Sequence, residues 1–200
     1  VTRADEVSAV IDGVSVWQAY DASVKCDLTS AALRVGENLV LVDPIALSAG
    51  GAEELESFGQ PALIVCTSGN HARAADHFRR RYRIPIAGHA AAEAESGLSF
   101  DTMLVEGMRL LDAIEVCTLP GAAAGEIALA APQGVVCVGD ALIHLPPHGL
   151  QILPDKYCAD PKELRASLQK LLRWDFRVLT FAHGWPLVAS ARERVASLLA

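Results

Sequence analysis

The sequence predicts an α/β fold in which two β-sheets pack face to face and helices cover both outer faces, giving four layers in the order α/β/β/α. Two observations predict it. Each half of the chain reads as several antiparallel strands followed by strands that alternate with helices. The strand readings at 38–42 and 62–67 are apolar almost throughout, as expected for strands buried on both faces. Composition agrees, with 52% hydrophobic and 20% charged residues, which favours a folded globule over a disordered chain. A length of 200 residues suits one domain, 1–200, and no internal repeat recurs at a fixed period.

The elements follow in order. Residues 7–20 read as a strand bent at Asp12–Gly13. Residues 28–35 and 38–42 read as two antiparallel strands joined by a turn at Gly36–Glu37. The second ends at Asp43–Pro44, where an acidic residue is either turn chemistry or a site contributor. Glu53 to Phe58 suggests a short helix closed by Gly59 and Pro61. After the strand at 62–67 comes a polar turn, then Ala74, Ala75, Phe78 and Tyr82 at helical spacing with His71 one turn earlier. Pro85 stops that helix. A short strand at 84–87 and a helical turn at 90–95 complete the first half.

From Phe100 short strands are expected at 102–105, 108–111, 113–119, 127–131 and 135–138, separated by turn signals such as Glu106–Gly107 and Pro120–Gly121. Asp160 can cap a helix from Pro161 to Trp174, whose apolar stripe is Leu164, Leu168, Leu171 and Leu172. A strand at 177–182 and a helix at 190–199 close the chain. Val195, Leu198 and Leu199 on that helix suit either the domain core or the face of a homodimer.

Charge and cysteine usage exclude some functions. A net charge of -7 argues against nucleic-acid binding. The run Arg79, Arg80, Arg81, Tyr82, Arg83 reads as the solvated end of a helix. The cysteines, Cys26, Cys66, Cys117, Cys137 and Cys158, form no CxxC pair and imply a reducing, cytoplasmic setting without disulfides. No run approaches the roughly 18 apolar residues of a membrane span, and VTRADEV carries no secretory pattern. Neither a nucleotide-binding glycine pattern nor a GxSxG elbow occurs.

Six segments in this order resemble the metallo-β-lactamase superfamily, whose fold is a four-layer α/β/β/α sandwich. NLVLVDP is similar to the strand ending in that family's buried Asp, here Asp43. IVCTSGNHARAADH resembles its first metal-binding turn. VEGMRL resembles its "dG…l" hairpin, and VCTLPGAAAGEIAL its "PGHT.GS" segment. VVCVGDALI resembles its "GD.l" strand end, and SLQKLLRWDFRVLTFAHGWPL its last helix, strand and "GHG.P" turn.

The resemblance implies a hydrolase ancestry and a site for up to two metal ions, but the ligand pattern is degenerate. Where the family has H-x-H-x-D-H, this chain has Ser68, Asn70, Ala72 and Arg73. The His after Pro–Gly is Ala122, and only Asp140 and His183 match. Zinc needs three or four close N, S or O donors. The reading is therefore a non-zinc protein that binds a small molecule, with Arg73, Asn70 and a helix N-terminus forming an anion pocket. The alternative is a hydrolase using one divalent ion (zinc, iron or manganese) on Asp140, His183 and a third donor, His71. In the first case the Arg73 guanidinium is expected to fill the second metal position and pair with Asp140, because an isolated buried carboxylate is costly. Ser68 and Asn70 are expected to cap the helix. His71 reads either as a partly buried residue bonded to backbone or as a metal donor or general base. His77 and His89 read as helix and loop residues, and His144 and His148 as a loop shaping the cleft.

Overall fold

The computed structural model describes residues 2–200 and has the expected layers. The first sheet has seven strands in the spatial order Ser8–Ile11, Val14–Asp21, Cys26–Val35, Asn38–Val42, Gln60–Cys66, Ile86–Gly88 and Thr102–Met103. Its first four strands pair antiparallel and the remaining pairings are parallel. The second sheet has five, ordered Arg109–Leu110, Ile114–Thr118, Ile127–Ala131, Val135–Val138 and Val178–Thr180, the last pairing parallel.

Alternation along the strands separates two faces of each sheet. Val14, Leu33, Val40, Val42 and Val65 of the first sheet face Ile114, Val116, Leu129, Val135 and Val178 of the second in one buried cluster. The opposite face of the first sheet, with Trp17, Leu39, Leu41 and Ile64, packs on Leu55, Ala75, Phe78 and Ala92 from the helices Ala49–Phe58, Ala75–Tyr82 and Ala90–Ser96. The outer face of the second sheet packs on Leu164 and Leu168 of Pro161–Leu168 and on Val195 of Ala191–Leu199. Leu198 and Leu199 join that cluster, so the C-terminal stripe serves the core.

Several expectations shift in detail. The bend at Asp12–Gly13 is a full hairpin turn, with Gly13 at φ 76°. Pro61 does not terminate the first helix but lies inside the Gln60–Cys66 strand. The helix expected from His71 begins only at Ala75, after a single 3-10 turn at Gly69–His71, because Arg73 sits at φ 38° and breaks the helical run. The helix from Pro161 turns into a 3-10 segment at Gln169–Arg173. The HLPPH segment belongs to a hairpin, Leu142–Leu145 with Gly149–Ile152, that sequence periodicity did not reveal. The basic run is solvated as expected, with Arg79, Arg80 and Arg81 paired to Asp101, Asp76 and Glu56. All five cysteines are free. No helix among the described residues is long and apolar enough to cross a membrane.

This topology brings loops to one end of the sandwich. Asp43 follows Asn38–Val42, Thr67 follows Gln60–Cys66, and Asp140 follows Val135–Val138. His183 lies just past Val178–Thr180, where a bridge to Leu28 joins the two sheets. Open α/β sheets bind ligands beyond the carboxyl ends of their parallel strands, and these residues sit there.

Candidate functional site

Asp43 is the buried anchor. Its Oδ1 accepts the Thr67 N–H at 2.7 Å, and its Oδ2 accepts the Thr67 hydroxyl at 2.5 Å. The same Oδ2 lies 3.0 Å from Nδ1 of His71. Nδ1 of His71 is also 2.9 Å from the Thr67 hydroxyl oxygen. His71 thus turns Nδ1 into the protein and Nε2 toward the cleft. Nε2 is 3.3 Å from Oδ1 of Asp140, within ion-pair distance, but this buried nitrogen makes no hydrogen bond. His183 approaches from the second sheet, with Nε2 3.2 Å from the same Asp140 oxygen. Its Nδ1 lies 3.3 Å from the Cys26 sulfur.

His71, Asp140 and His183 form the group of metal-capable donors found among the described residues, with ligand atoms all within 4.8 Å of one another. Two neighbouring glycines make the approach possible. A Cβ on Gly139 would fall 2.6 Å from both the Glu126 carboxylate and the Thr67 hydroxyl, so only glycine lets the Asp140 turn lie against them. A Cβ on Gly184 would fall 1.9 Å from the His144 carbonyl, in a backbone at φ 95°.

Electrostatics tie the cluster together. Burial works against charge on His71, but the Asp43 and Asp140 carboxylates outweigh it and push the imidazole up to about 10. Burial likewise opposes ionisation of Asp140, and the adjacent His71 and His183 overcome it, holding the carboxyl well below its usual range. Asp43 is lowered against the same burial cost by His71, Arg73 and Thr67. Glu126 goes the other way. Buried beside Asp140, with Oε1 accepting the Ala141 N–H at 2.9 Å and Oε2 without a partner, it is raised to about 8.

Arg73 does not pair with Asp140. Among the described residues no ion pair joins the two, and the guanidinium instead donates to the carbonyls of Thr29 at 2.7 Å, Asp43 at 3.1 Å and Ala182 at 3.0 Å. The reason is geometric. Left-handed backbone at Arg73 aims its side chain at the carbonyls of Thr29, Asp43 and Ala182, where the two sheets meet, and His71 takes the place beside Asp140. With its donors so engaged, Arg73 is unsuited to bind an external anion. His71 is also fully buried and bonds side chains, not backbone.

Ser68 and Asn70 make no capping bond. Ser68 is buried with its hydroxyl unpartnered, while Asn70 is exposed and lines the cleft. Of the remaining histidines, His89 accepts the Ala91 N–H at 3.2 Å as a helix cap, and His144 Nδ1 lies 2.7 Å from the Trp185 carbonyl. Cys26 and Glu126 were not singled out from sequence. Glu126 carried a readable signal, an acidic residue heading the apolar run EIALA in the segment that resembles "PGHT.GS". Cys26 carried none, since its neighbour His183 is 157 positions away.

The cleft is a cavity of about 620 Å³. Asp140, His183, Cys26 and Asn70 line its polar part, and Ile143, Leu145, Leu153 and Tyr157 line an apolar wall.

Comparison with known proteins is consistent with this geometry. A family model described as the metallo-beta-lactamase superfamily matches residues 10–200. No curated protein matches the sequence. Among solved structures, the DIM-1 metallo-beta-lactamase is 13% identical, covering 100% of this chain and 98% of that one with a TM-score of 0.78. A metallo-beta-lactamase from Pontibacter korlensis is 18% identical over 97% of this chain and 98% of its own, with a TM-score of 0.75. The FIM-1 enzyme from Pseudomonas aeruginosa, in a mono-zinc form, is 16% identical over 97% and 95%, with a TM-score of 0.72. At these identities the likeness shows the fold.

Proposed function

The chain belongs to the metallo-β-lactamase superfamily, and from that premise we propose that it is a hydrolase working through one divalent metal ion held by His71, Asp140 and His183. The observation that carries the reading is the convergence of Nε2 of His71, Oδ1 of Asp140 and Nε2 of His183. Ligands at about 2.0–2.1 Å around a tetrahedral zinc stand about 3.3–3.4 Å from one another. The 3.3 Å and 3.2 Å separations from Asp140 are close to that edge. The unpartnered, buried Nε2 of His71 fits a ligand nitrogen, and Asp43 behind Nδ1 gives the carboxylate support that metal-bound histidines have. Two imidazoles and a carboxylate suit zinc, iron or manganese.

Such an ion supplies Lewis acidity and lowers the pKa of water toward neutrality. The chain's own residues do the rest. Asp43 and Thr67 orient His71, Glu126 and Gly139 shape the turn that presents Asp140, and the apolar wall limits water in the cleft. In the metal-free state the charged His71 imidazole sits between Asp43 and Asp140 and balances them, so metal binding must displace its proton. This account replaces the non-zinc binding reading because His71 supplies the third donor that the aligned ligand positions lack.

Elemental analysis of protein purified without chelator tests it. Near one equivalent of metal, lost in Asp140→Ala and His71→Ala, is the expected result. Metal well below one equivalent, even after dialysis against zinc, would overturn it and leave His71 as the resident cation of a non-zinc binding protein.

A further inference from the structure

The lining of the cleft divides by chemistry. Lys25, Cys26, Asn70, Asp140 and His183 are polar, and contacts hold them together, since Lys25 adjoins Cys26 and the Cys26 sulfur touches His183. Val24, Ile143, Leu145, Leu153, Pro154 and Tyr157, with Ala123, make the rest apolar. Five of these follow one another along the hairpin and the segment after it, so the apolar surface is continuous with the Asp140 turn. Lys25 joins none of the ion pairs among the described residues. It is an exposed, unpaired cation lining the cleft of an acidic protein, on a turn whose backbone is set by φ 58° at Lys25 and by its N–H bonded to the Asp21 carbonyl at 2.8 Å.

We infer that the cleft takes carboxylic esters of medium-length unbranched acyl chains, with the chain on the Ile143–Tyr157 wall and Lys25 receiving the carboxylate that hydrolysis leaves. The inference rests on the hydrolase reading for its reaction but not for its binding specificity. In the reaction, water adds to the acyl carbon and the bond from that carbon to the alkoxy oxygen breaks. The leaving oxygen takes one of the water's protons and departs as alcohol, the other proton is lost to solvent, and the acyl group departs as carboxylate. A cavity of about 620 Å³ is of drug-like size, larger than a two- or four-carbon acyl group needs. The apolar wall gives a longer chain a favourable place, at about 0.8 kcal/mol for each CH₂ fully buried. Lys25 favours a ligand that is or becomes anionic over a neutral one.

Calorimetric titration of chelator-treated protein with sodium butanoate, sodium octanoate and 1-octanol tests the binding apart from the metal. Octanoate is expected to bind about tenfold or more tightly than butanoate, from partial burial of the added methylenes. Lys25→Gln should weaken octanoate about fivefold, as for a part-exposed charge pair, and leave 1-octanol unchanged. Ile143→Asn should weaken both. No octanoate binding, no dependence on chain length, or a Lys25→Gln variant that binds octanoate as the parent does would each overturn the inference. Stoichiometric metal with failure here rejects the substrate class alone. Chain-length selectivity in a protein that takes up no metal rejects the hydrolase reading and keeps the acyl site.

Discussion

Oδ2 of Asp43 lies 3.0 Å from Nδ1 of His71, and both side chains are only 2% exposed. One comes from the end of the Asn38–Val42 strand and the other from the 3-10 turn at Gly69–His71. Thr67 contacts both, and its two bonds hold the carboxylate independently of the imidazole. The pair does two jobs at once. It neutralises a charge that could not otherwise be buried, and it aims the outer nitrogen of His71 at Asp140.

Asp43→Asn should therefore damage stability and metal affinity together. Removing one partner of a buried charge pair costs about 3 kcal/mol or more. Loss of the carboxylate behind a ligand histidine costs about 10–100-fold in metal affinity. Urea denaturation and competitive zinc titration would read the two effects. A variant that loses stability yet binds metal as before would detach Asp43 from the site.

Glu126→Gln should raise stability near neutral pH. Its folded pKa of about 8 lies above the ordinary 4.5, because burial and then the Asp140 charge disfavour its ionised form. The unfolded chain ionises first, so Glu126 costs nothing below about pH 4.5 and costs progressively more as pH rises toward 8. Glutamine keeps an oxygen for the Ala141 N–H without that cost. Melting temperatures of the variant and parent should coincide near pH 4 and diverge in favour of the variant by pH 8. Equal melting at pH 8 would mean Glu126 ionises freely.

The layers were legible in the sequence because buried strands leave a local mark. NLVLV and ALIVC have no polar alternation, and the resembling segments occur in order along the chain. The site was legible only in part. Asp140 and His183 could be placed through the resemblance, and Asp43 through its position at a strand end. The pairing expected between Arg73 and Asp140 failed because sequence spacing assumes that a helix runs on from His71. The φ of 38° at Arg73 breaks that helix, sends the guanidinium to three carbonyls, and leaves Asp140 to His71. Cys26 and Lys25 reach the cleft only because the hairpin of Val14–Asp21 and Cys26–Val35 meets the second sheet's end at the Leu28–His183 bridge. That closure is a tertiary event with no periodicity of its own.

The charge on His71 should make metal-free stability and metal affinity respond to pH in opposite directions. The folded pKa, about 10, lies above the ordinary 6.5, since Asp43 and Asp140 outweigh the cost of burial. The stabilisation is therefore complete below about pH 6.5 and is lost as pH rises through 10. The upper part of the window from 8 to 10 isolates His71 from Glu126, which is half-ionised at about 8 and almost fully ionised by about 9. Across it, chelator-treated parent protein should lose stability to urea, on the order of 1–2 kcal/mol. A His71→Gln variant should start less stable and change less, which separates the His71 contribution from that of every other group. Zinc affinity should rise with pH below 10 as the competing proton is removed. Parallel slopes for the parent and His71→Gln would show that His71 is already neutral at pH 8, and the imidazole could not then be the cation that balances Asp43 and Asp140.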